Sequence, residues 1–164
     1  VPGRTGCSLT YEALKELCQH KNIVGIKEAS GDISFIMKIA RLVSDDFAIY
    51  SGNDDMIIPL MSVGGLGVIS VAANIIPKEM HRMTTAYLNG DIVQAKNLQL
   101  KYLEFINALF IETNPIPIKE AMNHLNMNVG KYRLPLCEMD VDAKEYLIST
   151  MSVLFEGEGM RVAV

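Results

Sequence analysis

Apolar positions along the chain follow two rhythms, and the change from one to the other divides it. Residues 23–28 (Ile-Val-Gly-Ile-Lys-Glu) form a short β-branched run that ends in charge, and they predict a buried strand. Residues 47–51 and 68–71 predict two more strands. Helical spacing fills the intervals. Thr10 caps a helix over about 11–20, with Tyr11, Leu14, Leu17 and Cys18 on one face. Asp32 caps the next, whose stripe is Ile33, Ile36, Met37, Ala40 and Val43. Gly52-Asn53 reads as a turn, residues 54–63 as a short apolar helix, and Pro77 as the first residue of a helix over 77–89. Strand and helix in alternation predict parallel strands joined by right-handed crossovers, apolar on both faces as in a covered sheet. In such sheets ligands gather at the carboxyl ends of the strands. Lys27, Gly52 and the stretch 70–74 all fall there.

After Asn89-Gly90 the strands stop. Residues 91–110 carry a helical stripe of Ile92, Ala95, Leu98, Tyr102, Phe105, Ile106 and Leu109. Asn114-Pro115-Ile116-Pro117 and Arg133-Leu134-Pro135-Leu136 are rigid breaks on either side of a helix over about 118–126. A last helix, about 141–155, aligns Ala143, Leu147, Met151 and Leu154. The predicted organisation is an α/β portion over 1–90, a helical domain over 91–158, loosening from Gly157, and a tail over 159–164. Pro2, Gly3 and Gly6 argue for a loop at the start. A chain that opens in mid-loop without Met reads as a piece of a longer one.

Composition narrows the field without choosing a function. A net charge of −4, spread without a basic stripe, argues against a nucleic-acid partner. No apolar run approaches the roughly 18 residues of a membrane span, and no signal peptide opens the chain. Cys7, Cys18 and Cys137 are odd in number and lack metal spacing, as expected of reduced cytoplasmic thiols. His20, His81 and His124 lie far apart among polar neighbours and read as surface residues. Asp45-Asp46 and Asp54-Asp55 sit at loops and caps. Gly64-Gly65-Leu66-Gly67 precedes a strand and lacks the Lys-Ser/Thr ending of a phosphate loop, so it reads as a tight turn.

Lys27 is the candidate for chemistry. In an extended segment it shares a face with Gly25 and Ala29, both small, while Ile26 and Glu28 point the other way. The plain reading is a lysine that ends a strand and carries its charge to solvent. The sharper one is a nucleophile: a lysine in a partly dry pocket loses hydration of its charged form, and the neutral amine attacks a ketone to form a Schiff base. Nothing local decides between them. Arg4, between Gly3 and Thr5, is equally open between a solvated loop arginine and a bidentate grip on a carboxylate.

Val1-Pro2-Gly3-Arg4-Thr5-Gly6, Gly25-Ile26-Lys27-Glu28-Ala29-Ser30-Gly31, Ser51-Gly52-Asn53-Asp54, Gly64-Gly65-Leu66-Gly67-Val68-Ile69-Ser70, Asn114-Pro115-Ile116-Pro117-Ile118-Lys119 and Arg133-Leu134-Pro135-Leu136 occur in that order. Together they resemble the 4-hydroxy-tetrahydrodipicolinate (dihydrodipicolinate) synthase family, over residues 1 to about 156. The resemblance implies the last three βα units of a (β/α)8 TIM barrel, its carboxyl-terminal portion, followed by a helical domain. It also implies a cytoplasmic homotetramer in the intact protein and a lyase of lysine and diaminopimelate biosynthesis that needs no metal or other cofactor.

By the same resemblance Lys27 takes up pyruvate as a Schiff base, and the resulting enamine attacks aspartate 4-semialdehyde. Arg4 matches the arginine that holds the semialdehyde carboxylate, and Gly52 and Ile69 match pocket positions beside pyruvate. Sugar-acid and N-acetylneuraminate lyases of the superfamily are the nearest competitors; the latter tend to lack an arginine-threonine pair after the proline. The family's proton-relay tyrosine and carboxylate-binding threonines belong to an amino-terminal half that precedes Val1. Three strands cannot close a barrel, and an open edge at 23–28 is an aggregation hazard. The expectation is therefore no turnover by this chain alone. The competing expectation is a stand-alone, non-catalytic fragment that associates with a partner.

Overall fold

A computed structural model describes residues 1–158, so the predicted tail at 159–164 lies outside the described residues. The chain forms two compact units that interleave in sequence. One is Val1–Ser70 with His81–Lys96, the other Val71–Met80 with the described residues from Asn97 onward.

In the first unit, strands β1 (Gly25–Glu28), β2 (Ala48–Ser51) and β3 (Gly67–Val68) form a parallel sheet in the order β1-β2-β3. Lys27 stands beside Tyr50, and Tyr50 beside Gly67. All three strands are shorter than predicted. β3 has only two residues, although the Ile69 amide still donates to the Ser51 carbonyl at 2.8 Å. Gly25 permits the close approach of β1 to β2, since a Cβ there would fall 2.6 Å from the Ala48 carbonyl oxygen.

Helices cover one sheet face. Leu14 from α2 (Tyr11–Leu17), Ile36 and Ile39 from α3 (Ile33–Ile39), Ile49 from β2 and Leu60 from α4 (Ile57–Met61) form its core. Thr10 and Asp32 cap α2 and α3 as predicted, each side chain accepting from first-turn amides. Two expectations fail here. The stripe on α3 runs through Ile36 and Ile39, leaving Ile33 and Met37 exposed. The sheet is also not covered on both faces: Lys27 and Tyr50 stand exposed on the face away from this core, and Val24, before β1, is 70% exposed. Coverage depends on neighbouring elements, and β1 and β3 have no outer neighbour among the described residues.

The opening segment also departs from the prediction. Pro2–Thr5 forms a single helical turn, α1, closed by Gly6 at φ +67°. Proline in the first turn and a left-handed glycine just past the end are boundary signals of a helix as well as of a loop.

Helices α5 (Pro77–Leu88) and α6 (Ile92–Ala108) each contribute to both units. The α6 stripe is buried from Ala95 to Leu109, but Ile92, in the first turn, is exposed. In the second unit α7 (Ile116–His124) packs on α8 (Val141–Glu158). Phe105 and Phe155 meet with ring centroids 6.5 Å apart, and Tyr102, Leu147 and Met151 are fully buried. Asp140 caps α8, and its own amide donates to Glu112 at 2.8 Å. The helix continues through Glu158, past the point at Gly157 where the sequence predicted a loose tail.

Candidate active site

The parallel register sets the carboxyl ends of the strands side by side. Lys27 is the third of the four residues of β1, Gly52 follows β2 directly, and Ile69 follows β3 directly. Three of the four predicted site residues thus lie at one end of one sheet.

The contact between Lys27 and Gly52 is intimate. A Cβ on Gly52 would fall 2.8 Å from Lys27 Cε, 2.7 Å from Ala29 Cβ and 2.9 Å from the Glu28 carbonyl oxygen. Only a hydrogen at this position lets the lysine lie across the end of β2. The turn is fixed from both sides. The Gly52 amide donates to the Glu28 carbonyl at 2.6 Å, and buried Ser51 donates through Oγ to the Asn53 carbonyl at 2.7 Å.

Among the described residues Lys27 forms no ion pair or hydrogen bond with a side chain. Alternation predicted that Glu28 points away from it, and it does. Glu28 is 5% exposed, on the opposite face, and its Oε1 accepts from the Ser30 amide at 2.8 Å. A lysine whose stem is held in contact and whose ammonium no side chain claims can act as a nucleophile once it gives up its proton.

A cavity of about 440 Å³ adjoins Lys27, lined also by Val1, Thr5, Cys7, Ser8 and Glu28. Pro2 and Thr5 of α1 reach it, but Arg4, between them, is exposed and is not among its lining residues. Gly52 and Ile69 do not line it either. The structure therefore joins Lys27 to Gly52 directly, places Ile69 at the neighbouring strand end, and leaves Arg4 exposed on α1, outside the cavity lining. No group of His, Cys, Asp or Glu among the described residues is placed to hold a metal ion. No described helix is long and apolar enough to cross a membrane.

Sequence reasoning placed Glu28 but missed what it does. A carboxylate directly after a strand-end lysine, two residues before a Ser-Gly turn, is the available signal.

Comparison with known proteins gives a consistent result. A model of the dihydrodipicolinate synthetase family matches residues 1–154. The chain is 58% identical over 153 residues to the 4-hydroxy-tetrahydrodipicolinate synthase of Thermoanaerobacter sp. (strain X514), covering 93% of this chain and 52% of that protein. It is 56% identical over 140 residues to the synthase of Clostridium perfringens (strain SM101 / Type A), covering 85% and 48%. Among solved structures, that of dihydrodipicolinate synthase from Cyanidioschyzon merolae with lysine bound superposes with a TM-score of 0.89 at 40% identity, over 94% of this chain and 52% of that one. The synthase of Methylacidiphilum fumariolicum SolV superposes with a TM-score of 0.92 at 34% identity, over 97% and 53%. The chain thus spans about half the length of the relatives it matches.

Proposed function

The chain belongs to the dihydrodipicolinate synthetase family, and on that premise we propose that it is the carboxyl-terminal portion of a 4-hydroxy-tetrahydrodipicolinate synthase whose Schiff-base nucleophile is Lys27. The observation that carries this reading is the seating of Lys27 at the carboxyl end of β1, its Cε against Gly52 and its ammonium without a side-chain partner among the described residues.

The chemistry follows from that amine. Its neutral form attacks the ketone of pyruvate, water leaves, and a protonated imine results. The imine draws electrons from the adjacent methyl group, which loses a proton to give an enamine. That carbon attacks the aldehyde of aspartate 4-semialdehyde, and closure by the substrate's own amine yields the cyclic product and frees Lys27. Arg4 serves as the group that grips the semialdehyde carboxylate, and Gly52 and Ile69 border the pyruvate site. The covalent imine takes the place of a cofactor. Turnover is assigned to the longer, cytoplasmic, homotetrameric protein whose amino-terminal half closes the barrel and supplies the proton relay. An open sheet face leaves the nucleophile hydrated, and a positioned acid–base group is worth roughly 10²–10⁴-fold.

The test is reductive trapping in that longer protein. Pyruvate with borohydride leaves a stable adduct on Lys27, found by peptide mapping. An adduct on Lys21 or Lys38 instead overturns the assignment.

A further inference from the structure

Glu28 is a charged side chain buried on the face of β1 opposite the nucleophile, and the reaction above gives it no task. Carboxylates are seldom buried without a specific partner. Its Oε1 accepts from the Ser30 amide at 2.8 Å, while its own main-chain carbonyl accepts from the Gly52 amide at 2.6 Å. One residue therefore anchors both segments that bound Lys27. The first is the turn through Ala29, Ser30 and Gly31, where Gly31 takes φ +72° and Ser30 Oγ accepts from the Asp32 amide at 3.1 Å. The second is the segment carrying Gly52. These two segments close on each other beside the lysine, since a Cβ on Gly52 would meet both Ala29 Cβ and Lys27 Cε.

From this geometry we infer that Glu28 is the positioning residue for Lys27: its buried carboxylate holds the Ala29–Gly31 turn down against Gly52, and so fixes the slot in which the lysine stem lies. The inference rests on the reading of Lys27 as the nucleophile and deepens it. The carboxylate acts through a hydrogen bond of fixed reach, since its oxygen must meet the Ser30 amide. Glutamine reproduces that oxygen at the same distance from the backbone. Aspartate keeps the charge but is one methylene short. The side-chain requirement is thus for length and an acceptor, with the charge dispensable.

Two measurements test it. In the 164-residue chain, the nuclear Overhauser effect between the Lys27 ε-methylene and the Gly52 α-protons reads the slot without any substrate. It is expected to persist in Glu28→Gln and to disappear in Glu28→Asp and Glu28→Ala, while the amide shifts of Ile36 and Ile49 stay in place. In the longer protein, the rate of imine formation at saturating pyruvate is expected to fall on the order of 10²-fold in Glu28→Asp and Glu28→Ala, the scale of a misplaced reacting group. The half-saturating pyruvate concentration should move far less, and Glu28→Gln should stay within about threefold of the parent. If Glu28→Ala does not fold, the contrast between Glu28→Asp and Glu28→Gln decides. Loss in Glu28→Gln equal to that in Glu28→Asp, or a persistent Overhauser effect with a normal rate in Glu28→Asp, overturns the inference. A parent that forms no pyruvate adduct at Lys27 defeats the functional reading, while the Overhauser effect still reports separately on the slot.

Discussion

Two lysines, one in each compact unit, are held in opposite ways. In the second unit Lys144, near the start of α8, places Nζ 2.6 Å from Glu120 Oε1. Tyr132 donates to the other oxygen of the same carboxylate at 3.1 Å, and Lys119 donates to the main-chain carbonyl of Lys131. These groups tie the segment between α7 and α8 to α7, and α7 to α8. In the first unit Lys27 has no such partner among the described residues, and small neighbours surround its stem. Paired lysines brace a frame whose geometry does not have to change. An unpaired amine at the end of a strand is available to a substrate.

The sharpest way to break that comparison is to delete each amine in turn. Lys27→Ala is expected to abolish the borohydride-trapped adduct in the longer protein and, in the 164-residue chain, where Lys27 is exposed, to change stability by no more than about 0.5 kcal/mol, as surface changes do. Lys144→Ala should leave trapping untouched and cost up to about 1 kcal/mol, the range of partly exposed ion pairs. Trapping that survives Lys27→Ala, or that Lys144→Ala abolishes, would reverse the assignment of roles. Adding a methyl group at Gly52 attacks the slot and leaves the amine itself in place. Gly52→Ala should slow imine formation more than tenfold, and overpacking should cost about 1–3 kcal/mol. A variant with normal imine kinetics would show that the contact with Lys27 Cε is incidental. Arg4 extends the contrast to the second substrate. Arg4→Ala should weaken the semialdehyde far more than pyruvate, by roughly tenfold to over a hundredfold, since a charge-assisted contact is worth about 1.5–3 kcal/mol. Equal losses for both substrates would make Arg4 structural and favour a sugar-acid aldolase.

How much of this was legible in the sequence follows from which effects are local. The small residues around Lys27 and the alternation that turns Glu28 away from it depend on one strand, and both were readable there. The caps at Thr10 and Asp32 depend on single side chains and first-turn amides, and they too stood out. What escaped depends on a second segment. Ile33 and Met37 lie on α3 with the right spacing but outside the reach of the sheet, so they are exposed. That only one sheet face is covered is set by neighbouring elements, which the residues of a strand do not encode. The pinning of Ser30 by Glu28 needed the turn geometry itself. Pro2, Gly3 and Gly6 have the composition of a break, yet Pro2 and Gly6 mark the start and end of a helical turn.

The smallest effect concerns the braced side of the comparison. The Tyr132 hydroxyl is pushed up from 10.0 to about 12, first by burial, then by its hydrogen bond to Glu120, then by the negative charges of Glu120, Glu112 and Glu138. The folded chain thus holds this proton more tightly than the unfolded one. Its contribution to stability is fully present below pH 10 and is lost as the pH rises through about 12. Solvent screening at a partly exposed phenol keeps the effect modest. Tyr132→Phe removes both the hydrogen bond and the titration. Below pH 10 the variant should be less stable by about 0.5–1.5 kcal/mol, the usual worth of one such bond. Across the interval from 10.0 to about 12 the parent should lose more stability than the variant, so that the two curves converge. Denaturant unfolding of both proteins at a series of pH values reads this directly. Parallel curves through that interval would mean that Tyr132 is not bound into the Glu120–Lys144 brace, and that the second unit leaves a polar group uncommitted as the first does.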